Sequence, residues 1–206
     1  MPTRIVTPGA IASPLPGTPI ASGAPYYRAT FSAGDMPSIV GSTTASWEGL
    51  KVGTWEGTVN LLAVSSGRLV RGSAGSGFNG LPIPDGAGVE MSWLIVKLPT
   101  VTAVQLDIYR AGPAGQDSYR VELNLDGNAR LNQRVGGAIT GLTGWFKVAA
   151  GDRVGVRHLN GRLSLLINGA VVSAVIVSAV PQTGQVGVAV ASGTGFELDN
   201  PEIDVY

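Results

Sequence analysis

From Arg162 to Val172 the chain reads Arg-Leu-Ser-Leu-Leu-Ile-Asn-Gly-Ala-Val-Val: a strand, a two-residue turn and a second strand. Asn-Gly is the strongest short hairpin signal, because a two-residue type I′ turn needs positive φ at both central positions. The signal recurs at Asn160-Gly161 and, as Asp126-Gly127, further upstream. Thr183–Val190 and Phe196–Ile203 follow as two more extended pieces. Several hairpins among short strands spaced by turn residues predict a sandwich or barrel. The order of the last pieces predicts an antiparallel β-sandwich with a short closing strand. Such a sandwich is a platform, so any chemistry must sit in residues added to it.

The rest of the chain agrees. Strands are expected at 27–32, 58–64, 68–71, 89–98, 102–110, 118–125, 129–135, 145–148, 153–159, 162–168, 170–178, 185–191 and 196–205. Along 118–125, Tyr119, Val121, Leu123 and Leu125 alternate with Arg120, Glu122 and Asn124, which predicts one buried and one solvated face. Residues 72–87, rich in Gly and Pro, read as a long loop. No stretch carries a helical period, and neither a repeat nor a break after residue 26 marks a second domain. The expected division is an arm, 1–25, and a sandwich, 26–206. The arm holds Pro2, Pro8, Pro14, Pro16, Pro19 and Pro25, which cannot pair inside a sheet. It is expected to order on a partner subunit, the alternative being that it wraps its own sandwich.

Composition narrows the function. The formal charge is zero and 14% of the 206 residues are charged, against about 25% in an ordinary soluble domain. A surface so poor in charge is weakly protected against association, and other subunits are expected to cover much of it. No basic excess exists to bind nucleic acid. Cysteine is absent, which excludes disulfides and thiolate metal sites and fits a reducing cytosol. No run approaches the roughly 18 apolar residues of a membrane helix. Prolines interrupt the region where a signal peptide would need an apolar core, so neither secretion nor membrane insertion is expected.

A resemblance enters with four pieces in order. They are the Trp47–Trp55 region followed by Leu62–Val70, the Tyr119–Leu125 strand, the Ile167-Asn168-Gly169 hairpin, and Thr183–Gly187 followed by Leu198-Asp199-Asn200. Together they resemble the concanavalin A-like (laminin-G-like) jelly-roll superfamily over residues 27–206. With the Pro-rich arm and the bias of Arg over Lys, the chain is similar to minor tail or decoration proteins of phages that infect actinobacteria. The resemblance implies a non-enzymatic minor tail protein of a virion, assembled in the host cytoplasm, with a capsid decoration protein as the alternative. The partners it implies are other virion subunits through residues 1–25, further copies in a homo-oligomer such as a trimer, and host-surface carbohydrate.

The candidate chemistry is sparse. Glu197-Leu198-Asp199-Asn200-Pro201-Glu202 has the spacing E-x-D-x-x-E of one glycoside hydrolase group within the resembled superfamily. Retaining hydrolysis needs two carboxyl groups about 5–5.5 Å apart, so Glu197 and Glu202 define an enzymatic alternative. Those enzymes carry the motif on a central strand of the concave face. Here it lies near the end of the sequence given, and Pro201 interrupts it where a ladder bond belongs, as expected of a strand that shapes an edge. Gly75–Gly80 matches G-x-G-x-x-G, yet Leu81-Pro82-Ile83-Pro84 cannot be the helix a dinucleotide site needs, so it reads as loop.

His158, the one histidine, is expected to be structural, at a strand end beside Val154 and Val156. Trp93 and Tyr119 are expected in the core. Trp47, Trp55 and Trp145, flanked by glycines or loops, are expected nearer a surface and are the candidate carbohydrate contacts. Asp126 with Asn128, or Asp199 with Asn200, could offer oxygens to calcium, which takes about six to eight ligands. Neither group is rich enough, so no metal, cofactor or catalytic residue is expected.

Overall fold

Asn160 (φ 52°) with Gly161 (72°), and Asn168 (51°) with Gly169 (78°), occupy the left-handed region that a type I′ hairpin requires. The computed structural model describes residues 27–28, 35–41, 55–73, 75–111 and 115–206. Within them the strands are β1 (Tyr27–Arg28), β2 (Glu56–Gly57), β3 (Leu62–Ser65), β4 (Arg68–Arg71), β5 (Gly77–Pro82), β6 (Val89–Lys97), β7 (Val104–Arg110) and β8 (Ser118–Leu123). They continue as β9 (Asn128–Val135), β10 (Ala138–Gly141), β11 (Phe146–Lys147), β12 (Arg153–Leu159), β13 (Arg162–Ile167), β14 (Ala170–Ile176), β15 (Gln185–Val190) and β16 (Glu197–Val205). No helix occurs among the described residues, so none is long and apolar enough to cross a membrane.

The strands form two antiparallel sheets. The first runs β14-β13-β12-β6-β16-β4-β3, with β1 also against β16; the second runs β10-β9-β8-β7-β15-β5-β2, with β11 against β9. Between them lie the inward side chains of both, among them Met91, Trp93, Leu106, Tyr109, Tyr119, Val156 and Ile203. The expected arm, 1–25, lies outside the described residues.

Three expectations change. Residues 77–82 are not loop but β5, an interior strand between β15 and β2. Its glycines serve close approach: Gly80 faces Gly187 across the pair, and the Phe78 ring lies over Gly80. Buried Asn79 accepts from the Leu62 amide and donates to the Glu56 and Thr58 carbonyls, tying β5 to the preceding turn. Second, β16 shapes no edge, because β6 and β4 flank it. Pro201 fits there because Asn200 and Pro201 together stand opposite Trp93, a β-bulge with Asn200 at φ 45°. Third, the alternation of β8 stops at Leu123; Leu125 is exposed, in a turn where the Asn124 side-chain oxygen accepts from the Asp126 and Asn128 amides.

His158 is buried, as a structural histidine should be. Its ring lies between those of Tyr109 and Tyr119, with centroids 5.4 and 5.3 Å away. The Tyr109 hydroxyl donates to the Ala87 carbonyl (2.8 Å) and lies 3.1 Å from His158 Nδ1, which Gln182 Nε2 also approaches at 3.4 Å. Nε2 has no hydrogen-bond partner among the described residues. Burial lowers the imidazole's pKa below its ordinary value of 6.5 and favours the neutral ring.

Candidate functional site

The outward face of the second sheet carries a row of charge where a solvated surface was expected. It starts on β7, the middle strand of that sheet. Ile108 and Tyr109 together stand opposite Val186 in a β-bulge, with Tyr109 at φ 58°. Both side chains enter the core, so the extra residue brings Asp107 and Arg110 to the same outward face. Without the bulge, residues three apart would point to opposite faces.

Asp107 is 0% exposed, Arg110 7% and Arg120, its neighbour on β8, 2%. Asp107 Oδ2 accepts from Arg110 Nη1 at 2.7 Å and from Arg120 Nη2 at 3.3 Å. Arg120 also donates to Ser118 Oγ at 2.9 Å. Arg110 lies on the Phe78 ring, 4.6 Å from its centroid. One carboxylate thus serves two buried guanidiniums. Desolvation, before any neighbouring charge, lowers the pKa of Arg120.

Further along the same face, toward β10, Glu122 and Arg130 reach solvent over a buried Asn132. Glu122 Oε2 accepts from Arg130 Nε (2.9 Å), Arg130 Nη2 (2.8 Å) and Asn132 Nδ2 (2.5 Å). The Arg130 guanidinium stacks on Trp145, 4.1 Å from the ring centroid. Trp145 is 43% exposed. An exposed indole beside a carboxylate, an amide and a guanidinium can take an apolar ring face and hydrogen-bond its polar edge.

Of the three tryptophans expected as carbohydrate contacts, Trp145 belongs to this face, and Trp47 lies outside the described residues. Trp55 requires a correction. It is 1% exposed and packs at 6.2 Å against Trp93 in the core, closed off from any ligand.

The acidic motif of β16 opens on the other sheet's outward face. Its bulge sets Glu197, Asp199 and Glu202 outward, but they do not converge. Glu197 is drawn toward β4 by Arg68 at 2.8 Å, and Glu202 toward β12 by Arg153 at 3.6 Å. Arg153 also donates to Ser92 Oγ and to the Asn200 carbonyl. On the same face, Glu90 accepts from Arg157 Nε at 2.5 Å and from the Tyr206 hydroxyl at 3.2 Å. A pocket of about 390 Å³ lies beyond, lined by Arg157, Arg162, Ser164, Val171 and Ile176. Asp199 accepts from the Asn200 amide. Among the described residues no three Asp, Glu or His side chains gather as a cation would need.

No family model matches this sequence, and no curated protein matches it. Solved structures do match in shape. The carbohydrate binding module CBM66 from Bacillus subtilis superposes with a TM-score of 0.53 at 17% identity, over 80% of this chain and 96% of that one. LamAcat from Zobellia galactanivorans gives 0.55 at 11% identity, over 88% and 98%. A prokaryotic beta-1,3-1,4-glucanase (lichenase) from a mouse hindgut metagenome gives 0.55 at 12% identity, over 86% and 98%. The fold is a concanavalin A-like jelly roll. At such identities the likeness is one of fold, and function must be argued from the residues.

Sequence reading missed Gln105, Asp107, Arg110, Arg120, Glu122, Arg130 and Asn132 as a group. The signal available was the placement of Asp107 and Arg110 in an otherwise apolar strand.

Proposed function

We propose that this chain is a non-catalytic carbohydrate-binding sandwich whose binding face is the outward side of the second sheet. One observation carries the reading: Gln105-Leu106-Asp107-Ile108-Tyr109-Arg110 on β7 repeats the spacing of the hydrolase motif, with an amide and a guanidinium where the two working carboxylates would be. That strand can position hydrogen bonds but cannot supply the acid and nucleophile of glycoside hydrolysis. Trp145 offers the platform, and Glu122 and Arg130, held over the buried Asn132, offer the polar edge. The carbohydrate binding module among the similar structures fits this reading, and so do the hydrolases as carriers of the same platform. The hydrolase alternative on Glu197 and Glu202 has less support, since each acid is held by its own arginine.

Trp145→Ala tests the binding half. The full chain is expected to bind at least one member of a glycan panel, and the variant to bind it about tenfold or more weakly, with its unfolding midpoint almost unmoved because the ring is exposed. Undiminished binding by the variant overturns the assignment of this face.

A separate observation supports work inside an assembly. Because β13 packs over β9, the edge strands β14 and β10 share one flank. No charged residue occurs from 135 to 146 or from 163 to 196, and Val135, Ile139, Val171, Val172 and Ile176 are exposed there. Edge strands that remain single usually carry charge or proline. We therefore infer a homo-oligomer, a trimer being one form; docking through residues 1–25 in a phage virion, as a minor tail protein, is proposed on the sequence resemblance alone. A capsid decoration protein is the alternative location. Sedimentation velocity of the full chain is expected to show a multimer; a monomer at every concentration refutes it.

A further inference from the structure

We infer that the saccharide taken by the second sheet's outward face is acidic, its carboxylates recognised by Arg134 near the β9–β10 turn and, further along the strand, by the free edge of Arg130. The inference rests on the carbohydrate-binding reading and deepens it. From β7 to β10 that face presents Arg110, Arg120, Arg130 and Arg134 against only Asp107 and Glu122. Both acids are already shared, Asp107 by two arginines and Glu122 by Arg130 and Asn132. Asp117, before β8, accepts from the Gly136 amide in the β9–β10 turn and keeps its charge, so the balance there is four arginines to three acids. The chain as a whole is neutral, so this excess is local.

The unspent donors lie within the same row. Arg120 Nε and Arg110 Nε, both on side chains more than nine-tenths buried, have no hydrogen-bond partner among the described residues; of the acceptors in the row, Asp107 Oδ1 and the buried Asn132 Oδ1 have none either. Arg120 Nε comes within 3.1 Å of Asp107 Oδ1, off line for a hydrogen bond. Among the described residues Arg134 bonds through Nε, to the Gly137 carbonyl at 3.3 Å, which leaves its two terminal nitrogens for a ligand. Arg130 spends Nε and Nη2 on Glu122, and its Nη1 faces Gly141, where no side chain fills the space. A neutral sugar would leave the excess charge as it is. A carboxylate matches the planar guanidinium fork and cancels part of the charge, while another ring of the same glycan rests on Trp145 beside Arg130.

The test presents the full chain with carboxylated glycans (polygalacturonate, alginate, sialylated oligosaccharides), the methyl ester of polygalacturonate, and neutral glucans. Titration calorimetry is expected to show a carboxylated glycan bound about tenfold or more tighter than its ester or any neutral sugar. Arg134→Gln should remove that preference, while Arg134→Lys should restore part of it by keeping the charge. Equal affinity for acid and ester, or binding confined to neutral glucans, overturns the inference and leaves the carbohydrate reading standing. Equal capture of a single-stranded DNA oligomer also overturns it, by showing attraction to charge alone. Binding of no glycan at all overturns both.

Discussion

Strands β7 and β16 are built alike and do different things. Each lies inside its sheet, each carries a bulge with one non-glycine residue at positive φ, and each thereby turns positions 0, +2 and +5 outward. On β16 these positions are Glu197, Asp199 and Glu202; on β7 they are Gln105, Asp107 and Arg110. The β16 acids are partly exposed, and Glu197 and Glu202 each have a nearby arginine. On β7 one fully buried carboxylate holds two arginines together. Spacing is thus a property of the backbone, and the chemistry depends on what the spacing carries and how far it is withdrawn from water.

The strongest way to break this contrast is to remove one carboxylate from each face. Asp107→Asn would leave Arg110 and Arg120 buried without a counterion, at a cost of about 3–5 kcal/mol. Glu90→Gln, which weakens the partly exposed Glu90–Arg157 pair, should cost less, about 1–2 kcal/mol. Urea denaturation at unchanged slope measures both. Equal losses would mean that burial does not distinguish the two faces.

Acid sharpens the comparison from the core that both strands share. His158 lies on β12 of the first sheet and contacts Tyr109 and Tyr119 of the second. Its lowered pKa means that below pH 6.5 the unfolded chain binds a proton that the folded chain refuses. Stability is therefore complete above about pH 6.5 and falls as the pH drops from there toward the folded-state value. Because the chain has one histidine, His158→Gln should flatten that part of the thermal-melting profile. A slope unchanged in the variant would place the acid-sensitive group elsewhere.

Much of the fold was legible because hairpin turns and strict alternation are local. Asn160-Gly161 and Asn168-Gly169 state their φ requirement in two letters, and Tyr119, Val121 and Leu123 state their face. Strand β5 was illegible because Gly77, Gly80 and Pro82 carry the composition of a loop, and only the paired strand β15 explains why glycine is used at Gly80 and Gly187. Strand β10 went unread for a similar reason: four residues beside Gly136-Gly137 make too short a pattern. The site was hidden by a longer-range fact. A bulge at a tyrosine with positive φ cannot be read from letters, and it alone puts Arg110 beside Asp107. Arg120 and Glu122 alternate as a solvated face should, yet Arg120 is buried and Glu122 is bound in a network.

The smallest effect concerns the strand whose sequence most resembles an enzyme's. Glu197→Gln and Glu202→Gln each remove one partner of a partly exposed pair, so each should change stability by about 1 kcal/mol or less. Neither acid touches the face that holds Trp145, so glycan affinity should be the same in the double variant as in the native chain. A double variant that lost a sugar-releasing activity present in the native chain would move catalysis to β16 and reverse the roles of the two strands. An unchanged affinity with no turnover in either form would leave β16 as a strand of the scaffold: its bulge admits Pro201 to the sheet interior, and its acids do no more than hold Arg68 and Arg153.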